Sequence, residues 1–119
     1  MEGREIPPQI QEKLARLQQM QQSLDALLLQ KQQIDVELSE TDSAIAELEK
    51  STTNEGVYKQ VGRVLIKSER AAVLSELKEK KELLTLRQSS LAKQESRLKE
   101  RLSEAQAQLR ETLGPQPSA

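Results

Sequence analysis

The side chains that could carry chemistry in this 119-residue chain are its 19 carboxylates, its 18 lysines and arginines, and a single tyrosine, Tyr58. Histidine and cysteine are absent, which removes imidazole acid–base chemistry, thiol nucleophiles, disulfides and thiolate metal sites. Carboxylates alone could serve as general acid and base, but only in a pocket that shifts their protonation. Here they alternate with cations along helix-forming sequence. The run Lys78-Glu79-Lys80-Lys81-Glu82 reads as a solvated face, with Glu76 and Lys80 at the spacing of a helical ion pair. No GxxxxGK[ST] phosphate loop and no metal-ligand spacing occurs. No enzymatic activity, cofactor or metal is expected.

The chemistry that remains is recognition by apolar surface and by backbone. Apolar residues make up 35% of the chain and aromatics 1%, too lean for an ordinary globular core. A net charge of -1 argues against a general nucleic-acid or anionic-membrane binder. The N-terminal residues contain no apolar signal region, and no stretch approaches the ~20 apolar residues of a membrane span. A soluble, cytoplasmic protein is the expectation.

The segment best suited to recognise a partner is Val57-Tyr58-Lys59-Gln60-Val61-Gly62-Arg63-Val64-Leu65-Ile66-Lys67. β-Branched and large apolar residues flank Gly62-Arg63, a two-residue loop of the Gly-X kind, so strands are expected at 57–61 and 64–68. With that turn, Val61 faces Val64, Gln60 faces Leu65, Lys59 faces Ile66 and Tyr58 faces Lys67. Alternation puts Val57, Val61, Val64 and Ile66 on one face and Tyr58 and Leu65 on the other. Two strands alone are marginal in water, and both outer edges stay unpaired. The hairpin therefore needs partner strands.

Two long arms must position it. From Gln9 to Lys50 there is neither Gly nor Pro, and Gln, Leu, Glu, Ala and Lys dominate, which predicts one helix opened by Pro7-Pro8. The polar run 51–56 ends it. A second helix is expected over 69–113, stopped by Gly114-Pro115, with a disordered tail at 114–119. Ile10, Leu14, Leu17, Leu24, Leu28, Ile34, Leu38, Ile45 and Leu48 step by three, four or seven except between Leu28 and Ile34. That predicts a coiled-coil seam with a register slip near Lys31. The second arm alternates three and four steps through Leu74, Leu77, Lys81, Leu84, Gln88, Leu91, Glu95, Leu98, Leu102, Ala105, Leu109 and Thr112.

Folded back antiparallel, the arms match. Leu48 with Leu74, Ile45 with Leu77, Leu38 with Leu84, Ile34 with Gln88 and Leu24 with Leu98 share one constant total of position numbers. Leu28 with Glu95 and Leu14 with Leu109 fall one away. The expected fold is mainly α, one domain over 1–119: a long antiparallel two-helix coiled coil with a central β-hairpin. On the residues alone, a structural scaffold or tether that captures nothing stays open.

Two long heptad arms with the central sequence Glu55-Gly56-Val57-Tyr58-Lys59-Gln60-Val61-Gly62-Arg63-Val64-Leu65-Ile66-Lys67 closely resemble the prefoldin β-subunit family, most like its archaeal form. The resemblance implies a hexamer of two α-type and four β-type subunits whose hairpins join an inter-subunit β-barrel. It implies an ATP-independent chaperone that captures unfolded polypeptides at the distal coiled-coil ends and hands them to a group II chaperonin. On this chain, Val57, Tyr58, Val61, Val64, Leu65 and Ile66 would then be assembly residues. Client binding would fall to Ile6, Ile10, Leu14 and Leu17 with Leu102, Leu109 and Leu113.

Overall fold

Pro7 and Pro8 open the first helix as their missing N–H groups suggest: the Pro7 carbonyl accepts bonds from the N–H groups of Ile10 and Gln11, each 3.0 Å long. The computed structural model describes residues 6–51 and 56–114. Its elements follow in the order α1 (Pro8–Lys50), β1 (Val57–Val61), β2 (Val64–Ser68) and α2 (Arg70–Leu113). Both helices fall within one residue of the expected bounds. The N–H of Gly114 donates to the Glu111 carbonyl and closes α2. The expected disordered tail lies, beyond Gly114, outside the described residues. No described helix is long and apolar enough to cross a membrane.

The chain divides into two compact units: residues 31–90, and the terminal segments up to 30 and from 91 onward. In residues 31–90 the helices run antiparallel, with Ile34, Thr41 and Leu84 buried and Leu38, Ile45, Leu48, Leu74, Leu77 and Gln88 half-buried. Polar contacts fix the register. Gln88 Nε2 donates to Asp35 Oδ1 at 2.8 Å, and Lys81 Nζ meets Asp42 Oδ1 at 2.8 Å. These pairs obey the antiparallel matching expected from the sequence. Being half-exposed, the ion pair contributes roughly 0–1 kcal/mol, so it orients the helices more than it stabilises them.

In the terminal unit Leu24, Leu27 and Leu91 are buried, and Ile10, Lys13, Leu17, Met20, Leu98, Leu102, Ala105 and Leu109 are half-buried. Lys13 Nζ bonds Thr112 Oγ1 across the two helices, which are antiparallel here too.

One expectation is overturned. The inward positions of α1 are 10, 13, 17, 20, 24, 27, 31, 34, 38, 41, 45 and 48, an unbroken heptad seam with no slip near Lys31. Leu14 and Leu28 point outward, 42% and 39% exposed, and so leave the pairs with Leu109 and Glu95 assigned to them. Their places are taken by Lys13 and by Leu27, which is 8% exposed. Lysine stems can lie along apolar surface while the ammonium reaches water, so Lys13 and Lys31 fit seam positions that read as polar. Thr41, only 3% exposed, fits because its Oγ1 donates to the Glu37 carbonyl at 2.7 Å. Lys81, expected in the seam, is exposed instead.

This register yields a direct test. Leu27→Ala is expected to destabilise the chain by about 2–5 kcal/mol in urea unfolding, as for a truncated core leucine, and Leu28→Ala by about 1 kcal/mol or less. The slipped register requires the opposite order.

Candidate functional site

The hairpin forms in the expected register: Val57 pairs with Ser68, Tyr58 with Lys67, Lys59 with Ile66, Gln60 with Leu65 and Val61 with Val64. Gly62 adopts φ of 62°, and among the described residues no non-glycine has positive φ, so the turn has the φ signs of type II′. That geometry matches the right-handed twist of the strands and needs glycine at the first central position.

Three contacts tie the hairpin and its helix junction together. Arg70, the first residue of α2, donates from Nε to the carbonyl of Leu48 at 2.6 Å. This carbonyl belongs to the last turn of α1, where the helix has no partners of its own and where its dipole favours a cation. Lys59 on β1 reaches Glu76 on α2 at 2.7 Å. Glu76 is thus engaged by the hairpin, where the sequence suggested Lys80. The Lys67 stem lies over Gly56, where an added Cβ would stand 2.5 Å from Lys67 Cε. A larger residue at this position would displace the flexible end of the Lys67 side chain.

These contacts leave the apolar surface of the hairpin open. Val61, Val64 and Ile66 on one face are 51%, 58% and 48% exposed; Tyr58 and Leu65 on the other are more exposed still. Val57 is half-buried. All six expected assembly residues are therefore in the hairpin, five of them exposed, on two strands whose outer edges pair with nothing among the described residues. Exposed aliphatic side chains grouped in this way make the hairpin a candidate interaction surface.

The helix ends form a second candidate surface. Ile6, Leu14 and Leu113 are exposed, while Ile10, Leu17, Leu102 and Leu109 are half-buried in the seam. The sequence-derived set thus splits into accessible side chains and side chains that complete the helix pairing. Exposed Leu29 and Val36 on α1 and Leu83 and Leu86 on α2 were not singled out from sequence. The unbroken heptad register would have revealed Leu29, Val36 and Leu86, since it places them farthest from the seam. Among the described residues no group of His, Cys, Asp or Glu could hold a metal ion.

Residues 11–116 match the family model for prefoldin subunits. Prefoldin subunit beta of Methanothrix thermoacetophila is 47% identical over 113 residues, 95% of this chain and 94% of that protein. Its counterpart in Archaeoglobus fulgidus is 43% identical over 94% of this chain and 97% of that protein. The crystal structure of the prefoldin beta subunit from Thermococcus strain KS-1 aligns with a TM-score of 0.82 at 38% identity, covering 96% of this chain and all of that one. The two helices and the hairpin reproduce the fold of that structure.

The turn can be tested alone. Gly62→Val forces a β-branched residue into positive φ, which costs about 1–3 kcal/mol. Cross-strand nuclear Overhauser contacts between Val57 and Ser68 should weaken or vanish while far-ultraviolet helical signal stays within a few per cent of wild type. A fully retained strand register would rule out a turn set by Gly62.

Proposed function

Because the chain belongs to the prefoldin subunit family, we propose that it is the β-type subunit of an ATP-independent holdase, a cytoplasmic hexamer of two α-type and four β-type subunits. Family membership carries a chaperone role and assembly with other prefoldin subunits. In this reading the hairpins contribute strands to a shared β-barrel through Val57, Tyr58, Val61, Val64, Leu65 and Ile66. One observation carries it: the helices of each chain already pair with each other, whereas the hairpin keeps exposed aliphatic faces and unpaired edges.

Unfolded polypeptides are held at the helix ends, by Ile6, Leu14 and Leu113 directly and by Ile10, Leu17, Leu102 and Leu109 where the outer turns open. Apolar area there, at roughly 25 cal/mol per Å², gives weak and reversible capture by one subunit. Several subunits on one barrel multiply it through avidity. Weak single contacts also permit release, which suits transfer of the client to a group II chaperonin without nucleotide.

Two measurements test this. Val64→Asp with Ile66→Asp should abolish co-assembly with an α-type subunit in light scattering while helical circular dichroism is retained; a complex that still forms places the hub elsewhere. Removal of residues 1–12 and 108–119 should strip the assembled complex of most of its ability to suppress aggregation of an unfolded test protein. Undiminished suppression by that truncated complex rules out capture at the helix ends.

A further inference from the structure

We propose that the first two turns of α2 brace the hairpin at one angle to the helices, with Arg70 pinning the pivot and the Lys59–Glu76 pair fixing the swing. The proposal rests on the hairpin being the assembly element, whose edges and faces must be aimed before a partner strand can add to them. Backbone connectivity alone does not aim them. β2 ends at Ser68 and α2 begins at Arg70, so Glu69 is the single residue between strand and helix. Its two soft dihedrals can swing the hairpin widely. Apolar packing does little to stop this, since Val57 is half-buried and Tyr58, Val61, Val64, Leu65 and Ile66 are exposed. Side-chain ties are left to set the angle.

Two ties lie where a brace needs them. At the pivot, Nε of Arg70 donates to the Leu48 carbonyl at 2.6 Å and holds the residue after Glu69 against the last turn of α1. A cation in the first turn of a helix opposes the dipole of that helix, whereas a cation at the end of one agrees with it. Arg70 is thus placed for α1 rather than for its own helix. Away from the pivot, Lys59 Nζ at the centre of β1 meets Glu76 Oε2 on α2 at 2.7 Å. Strand alternation puts Lys59 on the face of Val57, Val61, Val64 and Ile66. The pair therefore turns that face toward α2 and the Tyr58 and Leu65 face away, and Tyr58 and Leu65 are the more exposed. Both members of the pair are about half-exposed, so it is weak by itself. Its distance from the pivot is what lets a weak contact resist rotation. A hairpin aimed in advance loses little orientational freedom on binding, whereas one aimed for only a fraction of the time binds more weakly by that fraction.

The test reads hairpin orientation in the full-length chain, diluted with unlabelled protein and apart from assembly. Because the sequence has no cysteine, spin labels at Arg63→Cys on the turn and Glu82→Cys on α2 report one distance by double electron–electron resonance. The otherwise wild-type chain should give one narrow distribution. Glu76→Lys, which opposes two cations, should broaden or shift it while circular dichroism stays unchanged, and Arg70→Met should broaden it as well. Adding Lys59→Glu to Glu76→Lys rebuilds the pair with its charges exchanged and should restore the distribution. A distribution that Glu76→Lys and Arg70→Met leave unaltered, or that the exchanged pair fails to restore, overturns the brace. Co-assembly with an α-type subunit should weaken severalfold in Glu76→Lys, within the worth of an exposed pair, and recover in the exchanged variant. Val64→Asp separates the two levels: assembly that survives it removes the assembly reading and leaves the label distances to decide the brace, whereas assembly that it abolishes but Glu76→Lys does not affect removes the brace's part in assembly alone.

Discussion

A single apolar seam between two helices is the contact on which the rest of this molecule depends. Domains usually enclose a core between packed layers, and the volume of that core comes largely from leucine, isoleucine, valine and aromatic side chains. Here there is no Phe or Trp, and the buried apolar residues described are Leu24, Leu27, Ile34, Leu84 and Leu91. No described side chain is wholly sealed from solvent. Such a seam is a narrow stripe of two positions per heptad, so it serves the helix pairing and little else. Every other side chain must be compatible with water or be destined for another molecule.

That constraint explains the polar residues within the seam. Lys13, Lys31, Gln88 and Glu95 occupy inward positions without being fully buried, and Thr41 is buried with its hydroxyl returned to its own helix. Each forgoes the ~1.5–3 kcal/mol that a buried aliphatic side chain contributes. In exchange, polar seam positions penalise wrong registers, because only one alignment gives each its partner or its route to water. Asp35 with Gln88 and Asp42 with Lys81 reinforce that alignment from the seam's flank.

The hairpin follows a different rule. Its backbone is locally determined by Gly62, and it is tied to the helices by polar contacts: Arg70 to the end of α1, and Lys59 to Glu76. Of the hairpin's apolar side chains only Val57 is half-buried. Val61, Val64, Leu65 and Ile66 stay exposed, and the strand edges remain free to extend a sheet. An attachment made of charges and hydrogen bonds leaves the aliphatic surface for association, which fits a subunit of the prefoldin family.

The amino-acid sequence by itself determined everything that depends on near neighbours along the chain. Helix bounds follow from the absence of Gly and Pro between Gln9 and Lys50, the strands from clustered β-branched residues, and the hairpin register from a two-residue turn around Gly62. The strand positions of the six hairpin residues and the antiparallel matching of the arms were legible for the same reason: both are fixed by spacing. Only the tertiary structure decided which of two adjacent residues faces inward. Lys13 over Leu14, and Leu27 over Leu28, cannot be ranked by hydrophobicity, since one choice runs against it and the other is between identical side chains. The packed partner helix enforces a continuous 3.5-residue repeat, and that cooperative geometry outweighs the preference of any one side chain. Contacts that span the chain, such as Arg70 to Leu48 and Lys59 to Glu76, likewise arise only once folding brings distant polar groups within hydrogen-bond reach.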